Sequence, residues 1–346
     1  MARRMRINLA LQGGGAHGAF TWGVLDRLLE EDWLEIAGVS GTSAGALNGA
    51  ALKAGLVRGG RGAAREKLDP LWAQGGAVHD LRLSAWMSAF GPAPGMVARL
   101  LEAAAPFSVV DAMTRLFSPY DSGPFYLNPL ERIVRQFRYD LVCERTGPAF
   151  FVSATNVRTG KIRVFEGDAV TPEAILASAC LPTLFRAVEA LDPATGTVEA
   201  YWDGGYTGNP ALFPLFDPAL PDDIVIVNIN PLRREGVPRT AQEIQNRINE
   251  ISFNSSLLRE LRAISFVKEL VADGKVPRGA MKDVLVHMIA DDGLMNELSV
   301  ATKLVPTPLV LGALKDAGRA AAESFLATDA KMIGRQGTVD LPAMFG

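Results

Sequence analysis

The chain has 346 residues, of which 48% are hydrophobic, so it can bury a large core in one domain or in two modest ones. Its formal net charge of −3 provides no basic surface of the kind that binds nucleic acid. The three histidines and two cysteines are scattered and match no ligand spacing of a metal site. We therefore expect no metal, and two buried, reduced thiols at Cys143 and Cys180, as in a reducing compartment.

The N-terminus begins with the basic stretch MARRMR but does not continue as a signal peptide. The apolar stretch INLALQ that follows is short and ends in Gln12 and three glycines, with no cleavage site of small residues after it. No uncharged, uninterrupted run of about 18 apolar residues occurs elsewhere. We expect a cytoplasmic protein, with peripheral contact at a membrane surface left open.

The first elements in chain order are two predicted strand–helix units. RINLALQ (6–12) predicts a buried strand, and Phe20, Val24 and Leu28 after the glycines fall on one helical face. LEIAGVSG (34–41) predicts a second strand, and the small residues of SAGALNGAALKAGL (43–56) predict a helix close to the sheet. This alternation predicts an α/β fold with a mostly parallel central sheet flanked by helices.

The remaining chain is predicted as part of one domain spanning residues 1–346, with a helical cap inserted at 58–137. The apolar segment 81–125 within it fits either a packed cap or a lid that contacts acyl chains and membrane. Downstream elements are strands at 149–157, 161–165, 197–205, 223–230 and 283–290, a short helix at 172–182, and long helices at about 240–273 and 297–332. The last helix leaves a homodimer contact open.

The stretch LALQGGGAHGAF contains G-x-G-x-x-G at Gly13, Gly15 and Gly18, which raises dinucleotide binding as a first hypothesis. A dinucleotide site also needs an acidic residue about twenty positions on, at the end of the second strand. No Asp or Glu occurs between Glu35 and Glu66. We therefore expect no nucleotide cofactor and a loop that binds a different negative charge.

Where the acidic residue would stand, GTSAG (41–45) matches G-x-S-x-G between a strand and a helix, with Ser43 between Gly41 and Gly45. The following helix places free N–H groups and a positive dipole end near the serine. An ester attacked by a serine forms an oxyanion, which needs preorganised N–H donors. The predicted donors of this oxyanion hole are Gly13, Gly14, Gly15 and Ala44. The alternative is that both loops are only tight turns.

Several residues could accept the serine proton. His287 would complete the order Ser…Asp…His of α/β-hydrolases, but it lies among alternating apolar residues, like a strand interior. His79 lies in the predicted cap, and His17 is expected to shape the glycine loop or face the substrate. Asp203 ends the strand in YWDGG, and a desolvated carboxylate can have its pKa raised enough to take the proton itself. The sequence Asp-Gly-Gly is also a common turn.

Three motifs in this order resemble the patatin-like phospholipases: GGG near the start, GTSAG after the next strand, and DGG, with Gly204 and Gly205, well downstream. SPYDSGPFYLNPL, VSATNVRTG and GNPALFP are also similar to bacterial members, and the resemblance runs from about residue 7 to 213. It implies a three-layer α/β fold and lipid acyl hydrolysis by a Ser43–Asp203 dyad, without histidine, metal or organic cofactor. The family commonly has Arg or Lys where this chain has His17, so we expect activity to depend on pH near neutrality.

The sequence thus predicts a phospholipase A-type lipid acyl hydrolase that works through an acyl-enzyme on a lipid or membrane-surface substrate. Two enzyme alternatives use the same dyad, namely a general carboxylesterase and a depolymerase of storage polyesters. Outside enzymes, the alternative is a catalytically silent lipid- or membrane-binding protein.

Overall fold

A computed structural model describes residues 4–77, 118–277, 279–298, 302–303 and 306–345. Its strands are β1 (Met5–Leu11), β2 (Leu34–Gly41), β3 (Ala149–Asn156), β4 (Ile162–Glu166), β5 (Val188–Leu191), β6 (Val198–Asp203), β7 (Asp223–Asn228) and β8 (Leu285–Ala290). Its helices are α1 (Gly18–Leu28), α2 (Ala44–Ala77), α3 (Glu131–Val134), α4 (Tyr139–Val142), α5 (Pro172–Ser178), α6 (Ala241–Ala272), α7 (Asp292–Glu297), α8 (Pro308–Thr328) and α9 (Leu341–Phe345).

The described strands form one mixed sheet in the order β5-β6-β3-β2-β1-β7-β8, with β4 paired to β3. Strands β3, β2, β1, β7 and β8 run parallel to their neighbours in this series. Strands β4 and β6 pair antiparallel with β3, and β5 pairs antiparallel with β6. The predicted α/β fold with a mostly parallel sheet is confirmed. The antiparallel edge and the short strand β5 were not predicted, because four residues are too few to show a period.

Helices cover both faces of the sheet, which makes three layers. Alternate residues of β7 point to opposite sides: Val225 and Val227 join a core cluster with α1, α2 and α8, whereas Ile224 and Ile226 join one with α6 and α9. The apolar side of α8 packs on α1, so one face of this late helix belongs to the core. This central sheet, buried on both faces, is the rigid frame for the loops at its edge.

Helix α2 is broken at Gly59 and Gly60, where the backbone leaves helical geometry. The part after the break packs into the core through Leu68 and Trp72. Residues 78–117, which are half of the predicted cap and include His79 and most of the apolar segment, lie outside the described residues. Of the helices that the structure describes, none is both long and apolar enough to cross a membrane. Both cysteines are free, although Cys143 is only half-buried rather than buried as expected.

Candidate active site

The glycine loop and the serine turn meet at one edge of the sheet. The loop follows β1 and the turn follows β2, and these strands are parallel neighbours, so both loops leave the sheet at its carboxyl edge. A Cβ added at Gly13 would stand 2.6 Å from the Ser43 Cβ and 2.8 Å from the Thr42 carbonyl oxygen. Only a residue without a side chain allows the two loops to approach this closely.

Ser43 stands on a strained turn. Among the residues that the structure describes, it is the only non-glycine with positive φ, at 54°, a conformation that ordinary residues adopt at some energetic expense. Its N–H donates to the Ser178 hydroxyl at 2.9 Å, which helps to hold the turn. A Cβ at Gly41 or Gly45 would overlap neighbouring backbone. The turn therefore requires both glycines of the G-x-S-x-G motif.

The Asp203 side chain is fully buried, at 0% exposure, at the end of β6. Its Oδ1 accepts a hydrogen bond from the Gly205 N–H at 2.7 Å, and its Oδ2 makes no hydrogen bond to a described atom. Burial raises the pKa of this carboxyl to about 7, although the Gly205 N–H and the adjacent Ser43 side chain partly oppose the rise. A carboxyl with such a pKa can exchange a proton near neutral pH.

Buried hydroxyls tie the serine turn to the Asp203 strand. The Thr42 hydroxyl lies 2.6 Å from the Ser153 hydroxyl and donates to the Gly208 carbonyl, while the Thr155 hydroxyl donates to the Asp203 carbonyl at 2.8 Å. A Cβ at Gly204 would overlap the Ser153 carbonyl, and one at Gly205 would overlap Phe253 on α6. The DGG motif is therefore packed directly against the serine turn and α6.

The backbone N–H groups around Ser43 divide into occupied and free donors. The Gly13 N–H donates to the Asn209 Oδ1 at 2.7 Å, so this one of the four predicted donors is already engaged. The N–H groups of Gly14, Gly15 and Ala44 have no acceptor among the described residues. Three of the four predicted donors are thus available to a ligand.

A set of buried amides behind the glycine loop was missed by the sequence analysis: Gln12, Asn209, Asn230 and Asn254, each at most 3% exposed. Gln12 Oε1 accepts from the Ile229 and Asn230 N–H groups at 2.8 and 3.1 Å, and its Nε2 donates to Asn254. The signal that could have found Gln12 and Asn230 is a polar residue at the end of an otherwise apolar run, as in INLALQ and DIVIVNIN.

His17 is 1% exposed, and its Nε2 lies 2.8 Å from the Thr302 hydroxyl. Burial, Lys303 and Arg234 lower the pKa of this histidine well below its usual 6.5. This lowered pKa opposes the expectation that His17 makes activity pH-dependent near neutrality, because it favours the neutral ring there. His17 shapes the loop from inside the protein.

The alternative triad with His287 is also wrong. His287 is fully buried within β8, where its Nε2 contacts Asp223 Oδ1 at 3.0 Å and its Nδ1 contacts Thr338. Its partners are thus neither Ser43 nor Asp203. No group of three or more His, Cys, Asp or Glu side chains in the described part of the chain could hold a metal ion.

This chain is similar to a known protein family and to solved structures. The model of the family described as "Patatin-like phospholipase" matches residues 9–216, which is more than half of the chain. The crystal structure of VipD from Legionella pneumophila is similar with a TM-score of 0.41 and 13% sequence identity, covering 93% of this chain and 67% of that one. No match is found among curated proteins.

Proposed function

Because the chain belongs to the patatin-like phospholipase family, whose general activity is lipid acyl hydrolysis, we propose that it is a phospholipase A-type hydrolase with a Ser43–Asp203 dyad. The observation that supports this most is the pairing of a serine on a strained turn with a fully buried carboxyl of raised pKa. The free N–H groups beside them supply the remaining requirement of acyl transfer.

In the proposed reaction, Asp203 accepts the Ser43 proton as the serine oxygen bonds to the acyl carbonyl carbon. The carbonyl electrons move onto oxygen, and the oxyanion accepts hydrogen bonds from the free Gly14, Gly15 and Ala44 N–H groups. Collapse breaks the ester bond, and Asp203 returns the proton to the departing alkoxide. Water, deprotonated by Asp203, then attacks the acyl-enzyme carbonyl carbon. The bond to the Ser43 oxygen breaks, the fatty acid is released, and Asp203 returns the proton to the Ser43 oxygen.

Gly13 has a different role in this proposal from that of its neighbours. Since its N–H is held by Asn209, its contribution is the space that lets Ser43 stand against the glycine loop. We place the substrate at a lipid or membrane surface, approached by the protein from the cytoplasm.

The test is release of fatty acid from phosphatidylcholine vesicles by the wild type, Ser43→Ala and Asp203→Asn. We expect the wild type to release fatty acid and both variants to lose this activity. For Asp203→Asn, which lacks the base, the rate should fall by about 10²–10⁴. His287→Gln is the control, because His287 contacts Asp223 and Thr338 rather than the dyad.

The same preparation separates the alternatives. Hydrolysis of short-chain esters or of poly-3-hydroxybutyrate, without release from vesicles, would replace the phospholipase by a carboxylesterase or a polyester depolymerase. A fluorophosphonate probe should label Ser43 in a 1:1 ratio, with no labelling of Ser43→Ala. Vesicle binding without labelling or turnover would instead support a silent lipid-binding protein.

A further inference from the structure

A lysine from the C-terminal third of the chain contacts the glycine loop. A Cβ on Gly15 would overlap the Lys303 carbonyl oxygen, and the preceding Thr302 is hydrogen-bonded to His17. The Lys303 ammonium donates to Asn230 Oδ1 at 2.9 Å. Both the backbone and the side chain of Lys303 are therefore placed by the loop and the amides behind it.

Asn230 links Lys303 to the glycine loop through hydrogen bonds. An ammonium only donates hydrogen bonds, so its partner on Asn230 must be the amide oxygen, which fixes the orientation of the amide. The opposite end, Asn230 Nδ2, donates to the Gly13 carbonyl at 2.8 Å and approaches Gln12 Oε1 at 3.2 Å. Lys303, Asn230 and the Gly13 carbonyl thus form a continuous chain of hydrogen bonds.

The Gly13 carbonyl, which ends this series of hydrogen bonds, shares a peptide group with a free N–H donor. The Gly13 carbonyl and the Gly14 N–H belong to one peptide unit, and the Gly13 carbonyl accepts from Asn230 and, at 3.3 Å, from Asn209. Hydrogen bonds polarise one another along a chain, so donation to the carbonyl makes the N–H of the same unit a stronger donor. The effect is larger when the first donor is charged.

We propose that Lys303 and Asn230 form a relay that orients and polarises the Gly13–Gly14 peptide, so that the Gly14 N–H stabilises the oxyanion. Lys303 is thereby a positioning residue for a reaction in which it does not touch the substrate. The catalytic part of this inference rests on the proposed function, whereas the polarisation of the peptide does not.

The charge of Lys303 depends on the groups around it. Burial lowers its pKa to about 8, with Glu250 raising and Arg234 lowering it. Glu250 is held by Arg234 at 2.6 and 2.8 Å and by Arg247 at 3.2 Å, and His17 is neutral. Lys303 is therefore mostly charged at pH 7 and loses its charge above pH 8. The neutral amine still donates, so the relay weakens there without breaking.

The polarisation can be measured without turnover. The sequence has five Gly–Gly pairs, 13–14, 14–15, 59–60, 75–76 and 204–205. NMR of protein labelled with [1-¹³C,¹⁵N]glycine, filtered through the carbonyl carbon, records only the second amide of each pair. In the wild type we expect the Gly14 amide proton to shift upfield with a midpoint near pH 8, while Gly60 and Gly76 stay in place. Lys303→Met should show the upfield position at every pH.

The matched control is Lys53→Met. Lys53 is buried, at 5% exposure, whereas Lys303 is half-buried, and among the described residues the Lys53 ammonium has one hydrogen-bond acceptor, the Pro148 carbonyl at 2.8 Å. On a soluble short-chain ester at pH 7, we expect Lys303→Met to lower kcat about tenfold, less than the 10²–10³ of a lost donor, with KM within about twofold. Lys53→Met should match the wild type. We also expect kcat of the wild type to decline above pH 8 and this decline to be absent in Lys303→Met.

The outcomes separate the relay from the proposed function. A Gly14 signal that does not move with pH or in Lys303→Met would overturn the relay, as would a Lys303→Met variant as active as Lys53→Met. Hydrolysis that survives in Ser43→Ala would overturn the proposed function alone. In that case, the Gly14 shift by itself decides whether Lys303 polarises the peptide.

Discussion

The raised pKa of Asp203 predicts that asparagine at this position makes the protein inactive but more stable, by a margin that depends on pH. The carboxyl is fully buried, and its pKa of about 7 exceeds the ordinary value of 3.8. Between pH 3.8 and about pH 7, the native protein therefore holds a proton on Asp203 that the unfolded chain has released. The stability associated with this proton is fully present below pH 3.8 and is lost as the pH rises to 7.

The size of the effect follows from the two pKa values. Above pH 7, the difference corresponds to about 4 kcal/mol of lost stability, since one pKa unit is about 1.4 kcal/mol. Part of this loss has already occurred at pH 5, because the unfolded carboxyl is then largely ionised. We therefore expect the difference in free energy of unfolding, Asp203→Asn minus wild type, to increase by about 3 kcal/mol between pH 5 and pH 8.

Urea unfolding of both proteins across this pH range measures the difference, and other titrating groups cancel because they are common to both. Asp192→Asn is the control with the opposite sign. Burial alone would raise the pKa of Asp192, but the Ala194 N–H, the Tyr201 hydroxyl and Arg163 together lower it. Asp192→Asn should therefore lose stability relative to the wild type above pH 4. A gap between Asp203→Asn and the wild type that is constant from pH 5 to pH 8 would refute the raised pKa.

Three further predictions concern activity. The value of kcat/KM on a soluble ester should rise with pH about a midpoint near 7, because Asp203 must be ionised to act as a base; a midpoint below pH 5 in the pH–rate profile would contradict this. Gly13→Ala should lower kcat by about 10²-fold, because its Cβ would displace Ser43. Gly62→Ala should keep full activity, because a Cβ there meets nothing within 4 Å. Equal rates for the two variants would rule out the close approach of Gly13 and Ser43. His17→Gln should keep the shape of the wild-type pH–rate profile between pH 6 and 8, and a changed shape would show that His17 titrates in that range.

Local patterns were sufficient to predict the main elements and the loops that carry the candidate site. Short apolar runs located β1 and β2, and the helical spacing of apolar residues located α1, because both patterns are properties of neighbouring residues. The same logic placed His287 inside a strand, and its burial there explains why it joins no triad. The two glycine-bearing turns follow adjacent parallel strands, so their convergence also followed from sequence order.

Tertiary structure alone decided which groups at the site are free, charged or engaged. The Gly13 N–H is occupied by Asn209, which is 196 positions away, and the Gly13 carbonyl by Asn230, which is 217 positions away. No local pattern encodes such a pairing. His17 looked like a titrating group in a loop and is neutral because the fold buries it beside Lys303. The types of residue at the site were readable from the sequence, whereas their pKa values and hydrogen-bond partners depend on burial and on contacts that only the folded chain creates.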